Sequence, residues 1–98
     1  MLSFNFPNMK NRSRYEVIAA ILKSANREET RTKIMYKAYL SFAQLKEYLT
    51  VLQENGLLEY EESKQIYRTT DKGIRLLRIY NQVGEMITLT HDDATKKK

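Results

Sequence analysis

Apolar residues recur along the chain in short blocks, first with a helical period and then with a strand period. Val17, Ile18, Ile21 and Leu22 form one stripe of a helix running from about Arg14 to Ala25, with Ser13 placed to cap it. Asn26 to Glu29 is a polar break. Thr30 or Thr32 caps a short second helix carrying Ile34, Met35 and Ala38, and Tyr39-Leu40 follows as a turn with Leu40 tucked beneath it. Ser41-Phe42-Ala43-Gln44 reads as a capping box, with the serine hydroxyl and the glutamine side chain each serving a backbone donor of the other. The third helix spans roughly Phe42 to Asn55. Its wheel turns Leu45, Leu49 and Leu52 inward, flanked by Phe42 and Tyr48, and turns Ala43, Glu47, Thr50 and Glu54 outward. Asn55-Gly56 ends it, because glycine accepts the left-handed backbone common at helix C-termini.

The period then shortens. Leu57 to Glu61 and Gln65 to Thr69 read as two strands joined at Glu62-Ser63-Lys64. Both Ile66 and Tyr67 can be the inward residue, so the pairing register stays open. Thr70 caps a last helix from Asp71 to about Leu89, docked on the domain by Ile74 and Leu77. Leu76, Tyr80, Val83 and Ile87 lie on another face at spacings of four, three and four, as in a coiled-coil seam. A monomer has little use for that second face, so it predicts a homodimer. Gly84 weakens the seam by roughly 0.5–1 kcal/mol relative to alanine.

These elements give an α+β chain that is mostly α: a helix-turn-helix with a two-stranded wing and a C-terminal dimerisation helix. Residues 1–12 are a flexible N-terminal arm, 13–70 the winged unit, 71–90 the dimerisation helix and 91–98 a disordered polar tail. The 98 residues are one domain, and a chain this short gains from dimerising because it buries a small share of its surface alone. There is no cysteine, hence no disulfide framework or thiolate metal site. No apolar run approaches the roughly 20 residues of a membrane span. Residues 1–11 lack the apolar core of a signal peptide, so the expected location is the cytoplasm, in association with the nucleoid.

The net charge of +5 suits a polyanionic partner, and its distribution adds detail. Residues 1–35 hold seven Lys or Arg against three Glu, whereas residues 41–62 hold Lys46 against five Glu. Residues 63–78 return to five basic residues against Asp71.

Catalysis finds no constellation. Gly56, Gly73 and Gly84 stand apart, so no glycine loop cradles a phosphate, and His91 is the lone histidine. No cofactor, metal ligand set or small-molecule substrate is indicated. Glu59 and Glu61 share one strand face, as on an ordinary solvated strand.

Nucleic-acid binding has concrete parts. A helix in the major groove reads bases with its N-terminal side chains, which here are Ser41, Phe42, Ala43, Gln44 and Glu47. Gln44 can pair with an adenine edge, Ala43 can touch a thymine methyl and Glu47 can accept from cytosine. Arg31, Lys33 and Lys37 are placed for phosphates, with Lys64 at the wing tip and Arg68 on the wing strand reaching the minor groove or backbone.

The run Ile34-Met35-Tyr36, then Ala38, Leu40-Ser41, Tyr48-Leu49, Leu52, Gly56-Leu57-Leu58 and Thr70-Asp71-Lys72-Gly73 resembles the small archaeal winged-helix DNA-binding proteins. These include the roughly ten-kilodalton chromatin-associated proteins of crenarchaea and related transcriptional regulators. The resemblance covers approximately Tyr15 to Ile87. It implies a winged helix whose C-terminal helix pairs with its mate as an antiparallel coiled coil. It also implies double-stranded DNA as ligand, with Ser41, Phe42 and Gln44 at recognition-helix positions. The chain departs from the pattern in its shorter, Gly84-containing last helix and in its acidic recognition helix and first strand. Those departures favour a regulator with sequence preference over an architectural chromatin protein. The acidic segment also fits a winged-helix protein-interaction module.

Overall fold

A computed structural model describes residues 13–96, with side-chain surroundings given through Val83. The predicted arm, residues 1–12, lies outside the described residues, as does the side chain of Ile87.

Helix α1 (Arg14–Ser24) opens with a capping box at Ser13: its hydroxyl accepts from Glu16 N–H at 3.1 Å, and Glu16 Oε1 accepts from Ser13 N–H at 2.9 Å. A 3₁₀ turn, Ala25–Arg27, prolongs it. Helix α2 (Arg31–Ala38) is capped by Thr30, not Thr32, through a bond from Lys33 N–H. Tyr39 closes α2 in the left-handed region, φ 56°, which turns the chain and lets Leu40 N–H reach back to Met35 O at 3.1 Å. Helix α3 (Phe42–Glu54) begins at the predicted capping box, with Gln44 N–H to Ser41 Oγ at 3.1 Å and Ser41 N–H to Gln44 Oε1 at 3.0 Å. Gly56, φ 71°, supplies the left-handed exit.

The apolar stripes meet as their spacing requires. Val17, Ile18, Ile21 and Leu22 of α1 pack with Ile34 and Ala38 of α2, Leu40, and Leu45, Leu49 and Leu52 of α3. Leu57 and Leu58 close the core at the hairpin end. Tyr48, expected at its flank, is fully buried. Phe42, expected beside it on the inward flank, is half exposed, because the first residue of α3 projects past the edge of the core.

Strands β1 (Leu58–Glu61) and β2 (Ile66–Thr69) pair antiparallel, Leu58 opposite Thr69 and Tyr60 opposite Tyr67. This settles the register: Tyr67 packs against the core, on the same face as Thr69. The connecting loop includes Gln65, which takes φ 55°. A third short strand segment arises at Glu29, which exchanges both backbone hydrogen bonds with Tyr67 at 2.9 and 2.8 Å. From the residue pattern alone this stretch reads only as a polar break.

Helix α4 (Asp71–Lys96) continues past the Leu89 that the apolar pattern marks as its end. Residues 90–96 contain neither proline nor glycine to stop it, so the helix covers most of the stretch predicted as a disordered tail. Its start is clamped to the end of α3. Thr70 Oγ1 donates to Gly56 O at 2.7 Å and accepts from Gly73 N–H at 3.1 Å. Lys72 Nζ donates to Asn55 O at 2.9 Å. Gly73 sits so close to the carbonyl of Leu57 that no side chain fits.

The docking face of α4 differs from the prediction. Leu76 packs against the core, and Leu76, Leu77 and Tyr80 together line an apolar cleft with Tyr15, Ile18, Ala19 and Leu22 of α1. Leu76 therefore belongs to the protomer's own packing, because α4 lies across α1 with a broader face than Ile74 and Leu77 alone. The large apolar side chains left exposed on the described part of α4 are Ile79, at 55%, and Val83, at 49%.

Candidate nucleic-acid interface

The exposed residues of α2, the turn and the start of α3 include most of the positions proposed from the sequence. Arg31, Lys33 and Lys37 on α2 and Ser41, Phe42 and Glu47 on α3 are all exposed, and Gln44 is half-buried. Of these positions, Arg31 and Phe42 are in direct contact across the two helices. The Arg31 guanidinium lies 5.0 Å from the centre of the Phe42 ring, a cation–π contact that links the two helix starts. Lys33 and Lys64 carry no salt bridge among the described residues.

Two predicted contacts are already engaged. Lys37 Nζ bonds Glu29 Oε2 at 2.8 Å. That bond is the main reason the Glu29 carboxyl sits below the ordinary glutamate range. Arg68 is more deeply committed: its guanidinium reaches Glu28 at 2.6 Å, Glu61 at 2.8 Å and Glu59 at 3.1 Å. The hydrogen bonds to those carboxylates, Glu28 foremost, raise the pKa of the guanidinium still further. Glu61 is lowered by its bond from Arg68. Glu59 and Glu61 share one hairpin face as expected, but that face is an ion-pair cluster and not a bare solvated strand.

Gln44 is also partly occupied, since its amide oxygen holds the Ser41 N–H. A bidentate pairing with adenine requires both ends of the amide, so its oxygen would have to share its second lone pair or release the capping bond.

Sequence reasoning passed over two aromatics. Tyr36 is 68% and Tyr39 83% exposed, and with Phe42 they cluster about the turn. The signal was a three-residue aromatic spacing, 36, 39 and 42, which reads as neither a core stripe nor a strand. Tyr39 holds an uncommon left-handed backbone for a bulky residue, and such strain gathers at functional surfaces. No group of three or more metal-ligating side chains occurs among the described residues. None of the described helices is long and apolar enough to cross a membrane.

Comparison with known proteins agrees with this architecture. The winged helix-turn-helix family profile matches residues 11–88. Sso10a-2, a DNA-binding protein from Sulfolobus solfataricus, superposes with a TM-score of 0.66 at 22% identity, over 87% of this chain and 95% of that one. ZitR of Lactococcus lactis, in its wild-type complex with DNA, superposes with a TM-score of 0.69 at 16% identity, over 100% of this chain and 70% of that one. No curated protein sequence matches the chain.

Proposed function

Because the chain belongs to the winged helix-turn-helix family, we propose that it binds double-stranded DNA as a homodimer and acts as a transcriptional regulator, without catalysis of its own. The observation that carries this reading is the exposed start of α3, where Ala43 and Glu47 face solvent and the Arg31 guanidinium lies over the Phe42 ring. The DNA-binding character of Sso10a-2 and the DNA complex of ZitR support it.

In this mechanism α3 enters the major groove with Ser41, Ala43, Gln44 and Glu47 at the base edges, while phosphate contacts fix its register. Lys33 and Arg31 take phosphates beside α2, and Lys64 takes one at the wing tip. Lys37 contributes after exchanging Glu29 for phosphate. Arg68 holds the wing in place and makes no DNA contact of its own. Exposed Glu47, Glu54 and Glu62 oppose indiscriminate coating of DNA, which favours a regulator over an architectural protein.

Dimerisation is proposed through α4, along the face where Ile79 and Val83 are exposed, with Tyr80 at its margin and Ile87 as its continuation in the sequence. Leu76 is left out of the proposed seam, because it packs partly buried against the protomer's own core.

The test compares Lys33→Ala and Gln44→Ala across a set of duplexes. Lys33→Ala lowers affinity about equally on all sequences, whereas Gln44→Ala also changes the ranking by roughly 1–3 kcal/mol at one base pair. Unchanged binding in both variants would place the DNA elsewhere on the molecule.

A further inference from the structure

The two faces of the hairpin differ in chemistry. One carries Glu59, Glu61 and Arg68, closed on itself by ion pairs. The other carries Tyr60 and Tyr67, with ring centres 4.7 Å apart, and looks toward the start of α2. Between them and α2 opens a cavity of about 280 Å³. Arg31 and Lys64 supply two cations to its wall, Tyr60 and Tyr67 two rings, and Thr30, Thr32 and Gln65 neutral polar groups. No carboxylate lines it.

A duplex backbone asks only for charges on an open surface. A cavity with aromatic walls asks for more: a flat ring to lie on the tyrosines, together with an anion for the cations. Several donors converge, which suits an anion with several oxygens, such as a phosphate, better than a lone halide. The volume lies just below the roughly 300 Å³ at which small-molecule sites begin, so the ligand is small. The Tyr67 phenol is protonated at neutral pH and available as a hydrogen-bond donor.

We propose that this cavity binds a phosphate-bearing aromatic of mononucleotide size, with its ring on Tyr60 and Tyr67 and its phosphate between Arg31 and Lys64. Because Arg31 and Lys64 are also assigned to DNA phosphates, an occupied cavity competes with DNA; that consequence rests on the DNA-binding reading above. The pocket makes the wing a sensor as well as a clamp.

The experiment is an NMR titration of the full chain with AMP, inorganic phosphate, adenosine and a short single-stranded oligodeoxyadenylate, each alone. Saturable AMP shifts are expected at residues 30–32 and 60–67. AMP should bind about tenfold more tightly than phosphate or adenosine, and Lys64→Ala should weaken AMP by about tenfold. Tyr60→Leu should weaken AMP and leave phosphate unchanged. Lys64 and Tyr60 are both exposed, and retention of the wild-type spectrum elsewhere establishes that each variant is folded. Silence at millimolar AMP overturns the proposal. Equal affinity for phosphate and AMP reduces the cavity to an anion patch and overturns it too. Binding of the oligonucleotide with AMP silent assigns the rings to strand ends and overturns a free ligand. Duplex binding measured in parallel separates the two readings: AMP shifts without duplex affinity retain the pocket and remove the DNA role, and the converse removes the pocket alone.

Discussion

Gly73 and Arg68 show how single residues set the geometry around the hairpin. A Cβ at Gly73 would meet the Leu57 carbonyl and lie 2.6 Å from Thr69 Cγ2. Neither neighbour can yield easily: one is backbone, and Thr69 is buried with its hydroxyl donating to Leu22 O at 2.7 Å. Gly73→Ala is therefore expected to destabilise the fold by about 1–3 kcal/mol through overpacking, which is roughly 4–8 °C in Tm per kcal/mol for a domain of this size. Thermal unfolding by circular dichroism checks it, and an unchanged Tm would show that α4 can lift from Leu57 at no cost. The Thr-Asp-Lys-Gly run was legible in the sequence as a helix start. Its clamp was not: the carbonyls of Asn55, Gly56 and Leu57 that it grips have no signature in side-chain identity. The ion pairs of Arg68 were not legible for a related reason. Its cross-strand neighbours Glu59 and Glu61 depend on a register the sequence left open, and Glu28 lies forty residues away.

At the scale of elements, capping and periodicity carried most of the reading. Both capping boxes rest on residues three apart, and the core stripes of α1 and α3 follow helical spacing, so local rules suffice for them. The third strand segment at Glu29 is a long-range pairing with Tyr67, and no local rule reports it. That segment and the wing are pinned by carboxylates whose pKa values lie below the ordinary range, Glu29 through Lys37 and Glu61 through Arg68. A depressed carboxyl adds stability that is fully present above its unfolded pKa and is lost as pH falls through its folded value. Both groups are partly exposed, so solvent and salt screen the effect and keep it modest. The expectation is a Tm that declines below about pH 4.5, with a shallower decline in the Glu29→Gln, Glu61→Gln double variant. Parallel Tm profiles for the two proteins would show that these pairs do not hold the wing.

For the whole molecule, the proposed dimer would turn one reading head into a two-fold reader of paired half-sites. The apolar stripe of the last helix was visible in sequence, but its division between self and partner was not. Which side chains pack inward depends on how α4 crosses α1, which partly buries Leu76 and leaves Ile79 exposed. Val83→Asp, placing a charge on the exposed face, should shift the chain from dimer to monomer in sedimentation at micromolar concentration while leaving its circular dichroism intact. A dimer that persists would move the interface away from this face.

The most direct test of the central claim is fluorescence anisotropy of a labelled mixed-sequence duplex, titrated with the protein over a series of salt concentrations. Phosphate contacts from Arg31, Lys33 and Lys64 in each of two protomers predict a log affinity that falls linearly with log salt. The slope is about −0.9 for each phosphate neutralised, and it lessens by about one for each such contact that Lys33→Ala removes. Absence of binding at low salt, or an affinity indifferent to salt, would contradict a DNA-binding role for this surface.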